Sequence, residues 1–187
     1  FDRDGDTDYI VGNLGLNSRY SASPSEPVSV YARDFNGDGR LDPFLTYYLN
    51  GREYPVHGRE AALRQIPRME KTYPSYESYA RETFPDIIPE RFLQEAYTVR
   101  ATRFESSYLE NNGDGTFDIR ALPPKAQWAP MYGLTVSDVT GDGILDVIAV
   151  GNSYAPHVGT GRLDASTGWV LKGDGTGHFE VLTHTDS

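Results

Sequence analysis

The sequence predicts a mainly β protein: a partial β-propeller of antiparallel four-stranded sheets, interrupted by a short helical insertion. Three observations predict it. Short β-branched and aromatic runs alternate with Gly/Asn/Asp turns over most of the chain. Three acidic loops of one spacing recur. Residues 52–103 carry a different pattern, short and helical, broken by prolines.

Strands are expected at 9–12, 28–32, 44–48, 105–109, 117–120, 133–139, 147–150, 168–171 and 179–182. Runs of this length and composition, bounded by turn residues, read as strands. Two stretches read as hairpin turns: Glu110-Asn111-Asn112-Gly113-Asp114-Gly115-Thr116-Phe117 and Lys172-Gly173-Asp174-Gly175-Thr176-Gly177-His178-Phe179. Their Asn-Gly and Asp-Gly steps are strong turn signals. In residues 52–103 one helix is expected over 59–66, ending before Pro67. A second runs from a Ser75 cap through 83, ahead of Pro85. A third runs from Pro89 to 98, proline being a good first-turn residue. This segment holds nine of the 17 Lys and Arg and eight carboxylates, a net charge of +1 against −11 elsewhere. It reads as an insertion between two strands of a repeat, either covering a core edge or serving as a lid or partner surface.

The acidic loops point to a ligand. Asp34-Phe35-Asn36-Gly37-Asp38-Gly39-Arg40-Leu41-Asp42 recurs as Asp138-Val139-Thr140-Gly141-Asp142-Gly143-Ile144-Leu145-Asp146. Each places oxygen side chains at positions 1, 3, 5 and 9 and glycine at position 6. Ca²⁺ takes about 6–8 oxygen ligands and tolerates irregular geometry. The expected side-chain ligands are Asp34, Asn36, Asp38 and Asp42, with the Arg40 carbonyl at position 7. In the second copy they are Asp138, Thr140, Asp142 and Asp146, with the Ile144 carbonyl; Thr140 is the weak member, a hydroxyl in place of an amide or carboxylate oxygen. A third copy aligns by Gly5, giving Asp2, Asp4 and Asp8 as side-chain ligands and the Asp6 carbonyl. Its position 1 would precede Phe1, so the chain reads as a piece of a larger protein or one whose start is not seen, and this site is expected to bind weakly or not at all. Like charges packed this closely repel one another in an empty loop. An EF-hand is disfavoured because position 12, which needs a bidentate Glu, is Leu45 or Ala149. The hairpin stretches lack a position-9 carboxylate and read as turns only.

The two complete loops begin 104 residues apart, and removing the 52-residue insertion leaves 52. Blade-sized repeats run at roughly 40–50 residues, and a four-stranded blade around a central axis fits that spacing.

Composition narrows the function. Of the carboxylates behind the formal net charge of −10, ten lie in the three loops, and two bound Ca²⁺ would bring the charge to −6. With no basic patch, a nucleic-acid partner is disfavoured. The absence of cysteine excludes disulfides, thiolate metal sites and cysteine nucleophiles. No apolar run is long enough for a transmembrane helix. Weak calcium loops suit an extracytoplasmic setting, where calcium is abundant.

The loop-then-strand pattern of residues 138–151 resembles the FG-GAP or VCBS repeat, the calcium-binding repeat of integrin-α-like β-propellers. Residues 111–117 resemble the hairpin that accompanies it. The stretches 8–17, 55–59 and 160–166 look like bacterial VCBS-repeat proteins related to the ASPIC/UnbV group. The resemblance implies a cell-envelope or secreted protein and a propeller to which this chain contributes about three blades. An isolated arc exposes sheet edges, so the expectation is either an open arc that pairs edge to edge with a second copy or a proteolytic remnant of a larger propeller.

Catalytic motifs are missing: no Gly-x-Ser-x-Gly, no His-Glu-x-x-His, no phosphate-binding Gly-x-x-x-x-Gly-Lys. His57, His157, His178 and His184 lack ligand spacing and read as surface or packing residues. Tyr47, Tyr48, Trp128, Tyr132 and Tyr154 are candidates for a protein- or glycan-binding surface, against core packing as the plainer role. The expected function is a calcium-binding module that binds or scaffolds and is not itself an enzyme. The rival is part of a propeller-type polysaccharide lyase or hydrolase.

Overall fold

The computed structural model describes residues 1–156 and 160–182. Within them the strands are β1 (Tyr9–Val11), β2 (Val28–Arg33), β3 (Asp42–Leu49), β4 (Arg52–Pro55), β5 (Tyr97–Ala101), β6 (Ser107–Asn111), β7 (Phe117–Ala121), β8 (Gly133–Ser137), β9 (Asp146–Val150), β10 (Trp169–Gly173) and β11 (Phe179–Val181). Four short helices, α1 (Arg59–Gln65), α2 (Tyr76–Ala80), α3 (Phe84–Ile87) and α4 (Glu90–Gln94), fall between β4 and β5. The strands make three antiparallel sheets, ordered β1-β6-β7, β4-β3-β2-β5 and β11-β10-β9-β8. The protein is therefore mainly β, as expected, though the first sheet has three strands where four were expected.

The chain divides into two compact units, Tyr20–Arg103 and the pair of segments Phe1–Arg19 and Phe104–Ser187. The second of these, here the split unit, holds two of the sheets. Its core gathers Tyr108, Leu122, Met131, Val147, Ala149, Trp169 and Leu171. Tyr108 and Phe179 meet edge to face at 5.8 Å, a favoured aromatic geometry. Buried Gln127 knits the strand connections together. Its amide donates to the carbonyls of Ser106 (2.9 Å) and Leu122 (3.0 Å), and its oxygen accepts the Ser106 N–H at 2.9 Å. Two glycines are required by close approach: a Cβ on Gly12 would lie 2.2 Å from the Met131 carbonyl oxygen, and one on Gly151 would lie 2.0 Å from that of Pro130.

Both expected hairpins form, as β6–β7 and β10–β11. Each turn closes with a backbone bond of 3.1 Å, Asn112 N–H to Thr116 O and Asp174 N–H to His178 O. In each, a threonine donates its N–H and hydroxyl to the turn aspartate, Thr116 to Asp114 and Thr176 to Asp174.

The Tyr20–Arg103 unit is a four-stranded sheet with the helices packed on one face. Tyr31, Phe35 and Phe44 from the sheet side meet Ala62, Ile66, Met69, Tyr73, Tyr79, Phe84, Ile87 and Ile88. Residues 52–103 are thus more than helices. β4 and β5, at their two ends, belong to the same sheet as β2 and β3. The expected third helix stops at Gln94, and Tyr97-Thr98-Val99-Arg100-Ala101 instead pairs with β2, from Ala32↔Tyr97 to Val28↔Ala101. That run is β-branched and aromatic, and a strand edge was available to it. Ser75 does cap α2, accepting the Ser78 N–H at 3.1 Å, but the helix ends at Ala80. Pro85 starts a helix where it was expected to stop one: it sits in the first turn of α3, and Asp86 accepts the Thr83 N–H at 3.0 Å. Proline's missing N–H costs nothing in a first turn.

Candidate metal loops

Loop 34–42 joins β2 to β3 in the Tyr20–Arg103 unit, and loop 138–146 joins β8 to β9 in the split unit. Five of their hydrogen bonds correspond in pairs. Asp34 accepts the N–H groups of Gly37 (2.6 Å), Asp38 (3.1 Å) and Gly39 (2.8 Å). Asp138 accepts those of Gly141 (2.7 Å), Asp142 (3.2 Å) and Gly143 (2.9 Å). Asp38 takes the Arg40 N–H at 2.9 Å, and Asp142 that of Ile144 at 3.0 Å. The position-9 carboxylates open their strands and clasp the loop: Asp42 accepts from Phe35 N–H and Asp146 from Val139 N–H, both at 3.0 Å. Such side-chain-to-amide bonds are what Asp contributes to a tight turn.

The first loop repeats part of this pattern within the split unit. Asp4 accepts the Asp6 N–H at 3.1 Å, and Asp8 accepts from the nitrogen of Phe1 at 2.9 Å. Asp8 also takes the Tyr108 hydroxyl (2.8 Å) and the Asn111 N–H (3.0 Å). The last bond has its counterpart in loop 138–146, where Asp146 accepts the Gly173 N–H at 3.0 Å. In these two loops position 9 is therefore a clasp to a neighbouring strand as well as a candidate ligand.

The electrostatics differ from loop to loop. In loop 34–42, the N–H groups of Gly39 and its neighbours hold Asp34 below the usual carboxylate range. Burial, with Asp38 and Asp34 nearby, pushes Asp42 up. In loop 138–146, the Ile144 N–H and then Lys172 hold Asp142 down. Burial pushes Asp146 up, but the N–H groups of Gly173, Thr140 and Val139 outweigh it and leave the carboxyl lowered. In the first loop, burial and then Asp4, Asp8 and Asp2 push Asp6 up.

Among the described residues no three His, Cys, Asp or Glu side chains converge as a ligand set; many of the loop carboxylates are turned onto backbone amides. The donors nonetheless suit a hard cation. They are oxygens throughout, and Asp6 Oδ1 is buried with no hydrogen-bond partner beside three other carboxylates. Asp6 was expected to offer its carbonyl; its side chain is the group in want of a partner. Partners brought from distant segments were not foreseen. Asn36 donates to the Gln65 carbonyl at the end of α1 (2.8 Å), Arg68 donates to the Phe35 carbonyl (2.5 Å), and Lys172 reaches Asp142 (3.1 Å).

Of the other candidates, His57 packs edge-on against Phe44 at 5.6 Å, and His178 hydrogen-bonds with the Thr176 hydroxyl at 3.1 Å. His157 and His184 lie outside the described residues. Tyr47 packs its ring, tilted, against those of Tyr20 (5.6 Å) and Tyr54 (6.5 Å), and Tyr48 is half-buried. Trp128, Tyr132 and Tyr154 are exposed. Trp128 also lines a cleft of about 940 Å³ in the split unit, with Leu16, Tyr108, Leu122, Pro123 and Phe179. No described helix is long and apolar enough to cross a membrane.

Comparison with known proteins gives no match: no protein-family model, no curated protein and no solved structure matches the chain.

Proposed function

We propose that the chain is a calcium-binding β-propeller module of the FG-GAP/VCBS kind. In this reading it works outside the cytoplasm as a binding or scaffold domain for a protein or glycan ligand and carries no catalysis of its own. The supporting observation is that five hydrogen bonds recur in register in two loops 104 residues apart. An ordinary Asp-Gly turn needs one or two such bonds; a whole set held in register with the same oxygen spacing favours a common ligand. Asp34, Asn36, Asp38 and Asp42 with the Arg40 carbonyl would hold one ion. Asp138, Thr140, Asp142 and Asp146 with the Ile144 carbonyl would hold another, and Asp2, Asp4, Asp6 and Asp8 a third. The ion would supply the divalent positive charge that crowded carboxylates such as Asp6 and Asp42 lack.

Binding to the folded state alone stabilises it by about 2.7 kcal/mol when calcium stands at a hundred times its Kd. Thermal melts in excess calcium should therefore run several degrees above melts in chelator, and Asp142→Ala should remove part of the difference. Equal midpoints with and without calcium would sink the proposal.

Self-association is part of the same reading. β1 and β8 end their sheets, and Tyr9, Val11, Leu134 and Val136 on them are apolar and exposed. Unpaired edges of this kind template further pairing. Size-exclusion chromatography over a dilution series is expected to show a concentration-dependent size, and Val136→Lys to reduce it. A concentration-independent monomer in both proteins would remove this element.

A further inference from the structure

The two complete loops share a backbone cradle but not a charge state. Lys172, on β10, places its ammonium 3.1 Å from Asp142 Oδ2. The Arg3 guanidinium donates to the carbonyl of Gly143 in the same loop at 2.8 Å. Loop 138–146 thus already carries a cation on a position-5 oxygen and a second at the loop's apex. Loop 34–42 is different: the described ion pairs of its unit join Arg33 to Glu95, Arg59 to Glu60 and Arg81 to Glu77, and none engages a loop carboxylate. The position-3 donors widen the contrast, an Asn36 amide oxygen against a Thr140 hydroxyl.

We infer that Lys172 is a built-in counter-ion of loop 138–146, so that its ammonium and a divalent cation are alternatives at Asp142. This rests on the calcium reading and deepens it. A divalent ion must displace an ammonium in loop 138–146 and nothing comparable in loop 34–42. The two sites are therefore graded: loop 34–42 fills first and loop 138–146 at higher calcium. Met at 172 would keep most of the aliphatic stem and remove the charge; Arg would keep the charge.

The test is calorimetric calcium binding to the full chain carrying Asp38→Ala, which leaves loop 138–146 as the complete site. Adding Lys172→Met should tighten binding about two- to fivefold, the scale of one partly exposed ion pair. Lys172→Arg should leave it as weak as in the Asp38→Ala protein. Circular dichroism of each variant checks that the fold is kept. If calcium binds and Lys172→Met leaves its affinity unchanged, the counter-ion role is wrong while the calcium reading stands. If neither the wild type nor any variant binds calcium, the calcium reading fails and this inference fails with it.

Discussion

Replacing Asp146 with alanine is expected to destabilise the split unit by roughly 3–5 kcal/mol, lowering its unfolding midpoint by about 12 °C or more. The side chain is fully buried. One oxygen accepts the N–H groups of Val139 and Thr140, the other that of Gly173, all at 3.0 Å. Alanine would leave three donors without their acceptor, and the loss of hydrogen bonds to a charged group is the costly case. Trp128 and Trp169 are the chain's two tryptophans and both belong to the split unit, so tryptophan fluorescence reports its unfolding. A midpoint within a few degrees of wild type would show that the clasp is dispensable. The effect should also be visible in acid. Asp146 titrates below its ordinary value, as does Asp142, so the unfolded chain takes up their protons at higher pH than the folded one. Their contribution is complete above the unfolded carboxylate pKa of about 3.9 and is lost as pH falls through the folded values. Asp146→Ala should flatten that acid limb of the fluorescence transition.

The same residue shows where the sequence is informative and where it falls short. The spacing of Asp34, Asn36, Asp38 and Asp42, and of its copy, is a local pattern, and the loops sit where that pattern places them. The strands that follow are local too, with Asp42 and Asp146 as their first residues. What Asp146 touches is not local. Gly173 is 27 residues away, and Gln65 lies 29 residues from Asn36. Lys172 meets Asp142 across a similar separation. Such partners come from strand pairing and helix packing, which no spacing rule encodes. The misread helices have the same cause. Tyr97–Ala101 is a strand because β2 offered an edge, and Arg52–Pro55, half charged and outside the expected helices, joins the sheet as an outer strand on the strength of pairing with Thr46–Leu49. Local preference is a weak prior that such tertiary pairing overrides.

Phe44→Ala is expected to cost the Tyr20–Arg103 unit about 4 kcal/mol, the middle of the range for truncating a buried aromatic. Phe44 is fully buried. Its ring meets Phe84 at 5.6 Å, His57 at 5.6 Å and Phe35 at 5.9 Å, so it joins β3 to α3, to the segment before α1 and to loop 34–42. The four α-helices of the described residues all lie in this unit, which makes far-ultraviolet circular dichroism at the helical band its reporter. That signal should melt about 15 °C or more below wild type, while Tyr97→Ala, a change at an exposed ring, should move it little. A Phe44→Ala shift no larger than that of Tyr97→Ala would mean that the helices do not depend on this contact. The loop supplies a second readout. Phe35 is position 2 of loop 34–42: its N–H is held by Asp42 and its carbonyl by Arg68, so its ring anchors the loop backbone from below. Loss of Phe44 removes the surface that ring packs on. Calcium affinity at loop 34–42 should therefore fall in Phe44→Ala while that of loop 138–146, whose position 2 is Val139, is unchanged. Equal calcium affinities at loop 34–42 in Phe44→Ala and wild type would separate the loop from the helices that cover its sheet.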